Sequence, residues 1–147
     1  MILFEGVDKT GKTTLARELN RRTQYRHLVI DRAFLSLIAY AQIYDRPLYM
    51  DELVAETPED LLIVYCTASV RTIRDRLARE NEPDIQVEKH LLAFENAVSV
   101  WDNVMTSLGG NYRIIEVNTS LMTVEAAVDY ILQEVQLWHA QAISLRG

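Results

Sequence analysis

Cysteine is almost absent from this chain: Cys66 stands alone among 147 residues. That excludes an internal disulfide and fits a reducing compartment. Also missing is any apolar run near the roughly 20 residues that a membrane-spanning helix needs. No signal-peptide pattern opens the chain, so the expected address is cytoplasmic, with no membrane partner. Positive charge is in short supply: 15 Lys and Arg against 21 Asp and Glu leave a formal net charge of −6. Broad nucleic-acid binding rests on neutralising phosphates with Lys and Arg, so that class is set aside, while a local basic cleft stays compatible with the composition. Repeats, low-complexity tracts and linkers are lacking as well.

What is there is the profile of a soluble globular protein, 49% hydrophobic and 24% charged. The length is that of one domain, 1–147, able to bury a proper core. Short apolar runs alternate with helical segments, as βαβ units around a parallel sheet require. The runs are "MILF" (1–4), "HLVI" (27–30), "LLIVYC" (61–66) and "YRIIEV" (112–117), each rich in Ile, Val and Leu as strands covered on both faces should be. Between them the pattern predicts helices over about 12–22, 34–44, 50–55 and 70–79. A long helix is expected from Pro83 through Leu108, with Ile85, Leu91, Phe94, Val98, Trp101 and Met105 as its apolar stripe and Gly109 and Gly110 ending it. A last helix is expected over roughly 123–142.

One motif carries chemistry directly. "GVDKTGKT" matches G-x-x-x-x-G-K-[ST] at Gly6, Gly11, Lys12 and Thr13. The two glycines let backbone N–H groups turn inward around phosphate oxygens, where a side chain would block approach. Lys12 neutralises the β and γ phosphates, and the Thr13 hydroxyl coordinates Mg²⁺. The helix that follows adds the positive end of its dipole. A strand before the loop and a helix after it supply the confirming context, and Thr14 joins the residues expected to hold the triphosphate. The competing view is a plain strand-to-helix turn that happens to contain glycine.

The second strand runs into "LVIDRAFLSLIAYAQ". Asp31 therefore stands at the carboxyl edge of the sheet, where open α/β folds bind ligands. It can hold Mg²⁺ through water or accept a proton from the attacking group, and Arg32 beside it can grip an acceptor phosphate bidentately. An Asp–Arg surface pair capping the next helix is the plainer alternative.

Together, "FEGVDKTGKTT" and "DRAFLSLIAYAQ" resemble the thymidylate kinase family of P-loop nucleoside monophosphate kinases. Phe4, Glu5, Gly6 and Asp8 match its first motif, and Asp31, Arg32, Ser36, Ala39 and Tyr40 match its second in register. Ala33 replaces the aromatic after the arginine, and Gln42 sits one position later than the family glutamine. The resemblance implies a three-layer α/β P-loop NTPase fold and a kinase that uses ATP and Mg²⁺. It implies that Asp8 accepts a hydrogen bond from the acceptor sugar, and that Lys9 is a basic P-loop residue reaching the phosphates. It further implies that Arg32 clamps the acceptor phosphate, that Asp31 serves Mg²⁺, and that Ser36 and Tyr40 line the acceptor pocket. Family members often dimerise through helices beside this segment, so a homodimer is within the expectation.

After the third strand comes "SVRTIRDRLARENEPD", with Arg71, Arg74, Arg76 and Arg79. Lid arginines that arrive on closure neutralise charge on a moving phosphoryl group and exclude water. The family places them here, and Arg76 and Arg79 are their counterparts. The alternative is a solvated helix with pairs such as Arg76–Glu80, which is the reading taken for Arg71 and Arg74. The family's adenine borders the loop after the last strand, which points to Asn118 and the residues after it, through Ser120. One stretch is missing: the first helix runs almost directly into "HLVIDR", where typical members carry many more residues. A short sheet of about four parallel strands and a more open acceptor side are expected.

Three functions remain open from sequence. The first is transfer of the ATP γ-phosphate to a deoxynucleoside monophosphate, dTMP or a related pyrimidine nucleotide. The second is a P-loop kinase of a nucleoside or of a hydroxyl on modified-base DNA or a polynucleotide end, nucleic acid entering only as acceptor. The third is a nucleotide-binding protein without turnover.

Overall fold

A computed structural model describes residues 1–146 of the chain. The elements run β1 (Ile2–Glu5), α1 (Lys12–Thr23), β2 (Val29–Asp31), α2 (Phe34–Ile43), α3 (Met50–Ala55), β3 (Asp60–Thr67), α4 (Val70–Arg79), α5 (Val87–Thr106), β4 (Asn111–Asn118) and α6 (Val124–Arg146). The four strands form one parallel sheet in the order β2-β1-β3-β4. No helix among the described residues is long and apolar enough to cross a membrane.

Alternation along each strand sends successive side chains to opposite faces, and both faces are covered. Ile2, Phe4, Leu62, Val64, Cys66, Ile115 and Val117 face α1 and α6, where Leu15, Leu19, Val128, Ile131 and Trp138 meet them. Leu3, Leu61, Ile63 and Tyr65 face α2 and α5, packed on Leu35, Ala39, Phe94, Ala97 and Trp101. Phe34 stacks on Trp101 with ring centroids 5.3 Å apart, which seats the start of α2 on α5. A third small cluster of Ala68, Ile73, Leu77 and Val87 fastens α4 to the start of α5.

The sheet has the four parallel strands expected, with two differences in detail. β2 is only three residues long and half-exposed at the sheet edge rather than covered on both faces. β3 and β4 run eight residues each, longer than their apolar runs, because they pair with each other over their whole length. The long helix also starts later than Pro83. Asp84 accepts a hydrogen bond from the Gln86 backbone N–H at 3.1 Å, and Gln86 takes a φ of 56°, so the chain turns before Val87 and leaves Ile85 outside the helix. Its end at Thr106 precedes Gly109, which adopts the left-handed conformation at φ 74°.

Candidate active site

The loop between β1 and α1 crosses the carboxyl end of the sheet. Gly6 has φ 143°, and a Cβ there would lie 2.1 Å from the Cys66 carbonyl oxygen, so the loop can lie this close to β3 only with glycine. Gly11, at φ 86°, precedes the first residue of α1. Thr10 Oγ1 donates to the Val7 carbonyl at 2.6 Å, and Lys12 Nζ donates to the same oxygen at 3.1 Å. Lys12 is buried, and burial lowers its pKa, helped by Arg32 and opposed by Asp8 and Asp31. Thr13 Oγ1 donates to Asp31 Oδ2 at 2.9 Å across the gap between the loop and β2.

Arg32 sits in the turn from β2 to α2 at φ 64°, its N–H bonded to the Phe4 carbonyl at 2.9 Å. Its guanidinium forms an ion pair with Asp8 and donates to the Tyr40 hydroxyl. Tyr40 is braced edge-on by Phe94 at 5.8 Å and by His90 at 6.3 Å. The turn is held from below by Glu5, which has no exposed surface. Its carboxylate accepts from the Ala33 N–H at 3.1 Å, the Ser36 N–H at 2.9 Å and Ser36 Oγ at 2.6 Å. Burial pushes the Glu5 pKa up, and the Ser36 and Ala33 hydrogen bonds pull against that shift.

On the opposite side, Arg76 of α4 donates to the Lys9 carbonyl at 2.7 Å, to Thr119 Oγ1 at 3.0 Å and to the Thr119 carbonyl at 3.3 Å. Thr119 Oγ1 in turn donates to the Thr10 carbonyl at 2.8 Å. The Lys9 ammonium bonds to Glu80 and, at 3.0 Å, to Glu82. These groups surround a cleft of about 680 Å³ that runs from Asp8 and Arg32 past Lys12 and Thr13 to Met122 and Val124.

The structure thus brings together Asp8, Lys9, Gly11, Lys12, Thr13, Thr14, Asp31, Arg32 and Arg76 of the residues expected from sequence. Gly6 shapes the loop from beneath. Ser36 stands elsewhere than expected: its side chain is buried and spent on Glu5, not turned to the cleft. Tyr40 reaches the cleft through Arg32 and also lines a separate groove between α2 and α3. Asn118 turns back to accept from the Ser120 N–H at 2.9 Å, and its neighbour Thr119 takes the cleft-facing position. Arg79 is exposed and outside the cleft lining. The Arg76–Glu80 pairing gives way to Lys9–Glu80, because Arg76 is already held by the P-loop and the loop after β4. Arg74 pairs with Glu88 and Asp84, as a solvated face does.

In the sequence, Glu82 carries no expected role, Glu5 only its match to the first motif and Glu80 only a pairing with Arg76. Glu5 alone carries a further signal there, since an acid in an otherwise apolar strand needs partners. Among the described residues no group of three or more His, Cys, Asp and Glu side chains is placed to share a metal ion. The adjacent Thr13 and Asp31 oxygens are hard donors, suited to Mg²⁺ when phosphate and water complete its shell.

No protein-family model and no curated protein matches the chain. Among the solved structures that share its fold are two with nucleotide-related names. One is Bacillus subtilis YorR in complex with phosphorylated GDP, with a TM-score of 0.64 at 18% identity, covering 95% of this chain and 97% of that one. The other is thymidylate kinase from Candida albicans, with a TM-score of 0.52 at 14% identity, covering 92% and 90% respectively. The chain therefore shares the fold of these two structures, and here that fold is a parallel sheet flanked by helices on both faces.

Proposed function

We propose that the chain, acting as a single P-loop kinase domain, transfers the γ-phosphoryl group of ATP to a nucleoside monophosphate, dTMP or a related pyrimidine nucleotide, giving the diphosphate. One observation carries this reading. A phosphate-binding loop and a separate arginine, Arg32, open into the same cleft, with Asp8 between them. The neighbours' names support nucleotide chemistry in general, one being a thymidylate kinase and the other holding phosphorylated GDP.

Phosphoryl transfer asks for positioning and charge neutralisation more than for covalent chemistry by the protein. Lys12 leaves the Val7 carbonyl to take the β and γ phosphates. Thr13 and Asp31 would hold Mg²⁺, whose positive charge would help neutralise the transferring phosphoryl group. Arg32 exchanges Asp8 for the acceptor phosphate, and the freed Asp8 accepts from the acceptor sugar hydroxyl. An acceptor phosphate oxygen then forms a bond to the γ-phosphorus as the bond from that phosphorus to the β–γ bridging oxygen breaks. ADP leaves, and the dianionic acceptor needs no general base. Lys9, Arg76 and Arg79 surround the donor phosphates when α4 and its following loop close.

The edge position of β2, with no strand beyond it, supports a second reading in which a larger acceptor hydroxyl, on a nucleoside or a modified-base DNA, uses the same donor site. One assay separates the two. Purified protein with Mg²⁺ and γ-labelled ATP is offered each nucleoside monophosphate, each nucleoside and short DNA with and without modified pyrimidines, with Lys12→Ala as blank. Label in a diphosphate is expected, and Arg32→Ala should lower that activity by about 10²-fold while ATP still binds. Label only in nucleosides or DNA, untouched by Arg32→Ala, would overturn the first reading in favour of the second.

A further inference from the structure

Lys9 is gripped from two directions by one segment. Its carbonyl accepts from Arg76, while its ammonium donates to Glu80 and Glu82 in the connection between α4 and α5. The two carboxylates are fixed by the chain around them. The backbone N–H groups of Glu80 and Glu82 both bond to the Leu77 carbonyl, at 3.2 and 2.9 Å, and Leu77 is buried against Ile73 and Val87. Lys9, Glu80 and Glu82 line the same cleft as Lys12 and Thr13. Two acids therefore stand in a phosphate-binding cleft, each engaged with a cation that phosphate would also seek.

We propose that Glu80 and Glu82 are positioning residues for Lys9, holding its ammonium at the cleft mouth until the donor polyphosphate takes it over. This rests on the ATP-dependent reading above. The exchange follows from charge. A triphosphate carries several negative charges on oxygens that converge on one cation, whereas the carboxylates are half-exposed, at 55% and 46%, and well solvated. Half-exposed ion pairs are individually weak, so the donor displaces them readily. Once Lys9 leaves, Glu80 and Glu82 lose the contact that ties the stretch from 80 to 86 to the loop after β1, and that stretch loosens. The hydrogen bond from Lys9 also lowers the Glu80 pKa, so the carboxylate stays charged further into the acid range than an unpaired one.

Simple acidity near a phosphate site would also weaken ATP binding, but it would do so without Lys9. The test exploits that difference. Mg²⁺–ATP affinity is measured by calorimetry, and ATP KM and kcat by turnover, for four proteins: wild type, Glu80→Gln/Glu82→Gln, Lys9→Met, and the triple variant. The glutamine pair should tighten ATP binding and lower its KM by about three- to tenfold, the size that two half-exposed ion pairs supply, with a smaller change in kcat. The same glutamines in the Lys9→Met background should give no gain. Hydrogen exchange without nucleotide should quicken over 80–86 in both Lys9→Met and the glutamine pair. An equal gain with Lys9 removed, no gain with Lys9 present, or unchanged exchange would each overturn the proposal. Wild-type protein that binds no ATP would overturn the kinase reading itself, and is told apart because it fails before any variant is compared.

Discussion

Glu5 has no exposed surface yet carries a carboxylate, and three donors from one short stretch of chain converge on it: the N–H groups of Ala33 and Ser36 and the Ser36 hydroxyl. These contacts fix the turn that carries Arg32, so an acid in β1 sets the place of a cation beyond β2. Burial favours the neutral acid and the donors favour the charged one, and burial prevails, raising the pKa above its ordinary 4.5. The folded chain then holds a proton that the unfolded chain has released, over the pH window from 4.5 up to the raised value. Stability contributed by this group is complete below that window and declines as pH rises through it. Glu5→Gln removes the titration, so the stability difference, wild type minus variant, should fall with rising pH across the window. Urea unfolding of both proteins at a series of pH values measures it, and a difference that stays flat or climbs would sink the assignment. Truncation to Ala should cost about 1–3 kcal/mol in addition, because the donors would be left buried without an acceptor.

The loop between β1 and α1 depends on an element it does not belong to. A Cβ on Gly6 would lie 2.1 Å from the Cys66 carbonyl, a backbone atom at the end of β3, and 3.2 Å from Thr10 Oγ1. That carbonyl cannot retreat without disturbing a strand paired on both sides, to β1 and to β4. Gly6→Ala should therefore lose ATP binding and destabilise the fold by more than about 2 kcal/mol. Gly109 is the control. It also has positive φ, at 74°, but a Cβ added there would meet nothing within 4 Å, so Gly109→Ala should cost only about 1–2 kcal/mol of backbone strain and leave ATP binding intact. Equal losses in the two variants would contradict the close-approach argument. The same contrast explains what the sequence made legible. The phosphate loop, the α4 boundaries and the Asp31–Arg32 edge were readable because local spacing dictates them. The partners of Glu5 and Thr119 were not, since they lie far along the chain, Ser36 at a separation of 31 and Arg76 at 43. The late start of α5 escaped for a related reason: Pro83 is a proper helix opener, but the Asx turn at Asp84 and the left-handed Gln86 override it.

At the scale of the whole molecule, charge is distributed against the average. The chain carries −6 overall, yet the cleft is lined by four basic residues, Lys9, Lys12, Arg32 and Arg76, and four acidic ones, Asp8, Asp31, Glu80 and Glu82. All four acids are already engaged: Asp8 with Arg32, Glu80 and Glu82 with Lys9, and Asp31 with Thr13. On the proposed function, an anionic substrate would enter by exchange of partners, since the cleft has no standing excess of positive charge. The cleft also joins elements that belong to different cores. α1 and α6 pack on one face of the sheet, α2 and α5 on the other, and α4 has its own cluster. On the proposed function, a nucleotide seated in this cleft would meet the loop before α1, the loop before α6 and the connection after α4, so binding should stabilise the fold as a unit. At a hundred times its dissociation constant a ligand contributes about 2.7 kcal/mol, and in a chain of this size each kcal/mol moves Tm by roughly 2–4 °C, so Mg²⁺–ATP should raise Tm by about 5–10 °C. Lys12→Ala should lose that rise. Arg32→Ala should keep it while losing the further rise that dTMP gives in the presence of a non-hydrolysable ATP analogue. Differential scanning fluorimetry reads all of these. A shift that survives Lys12→Ala would mean that ATP stabilises the chain from some site other than this loop, and the donor half of the mechanism would fall with it.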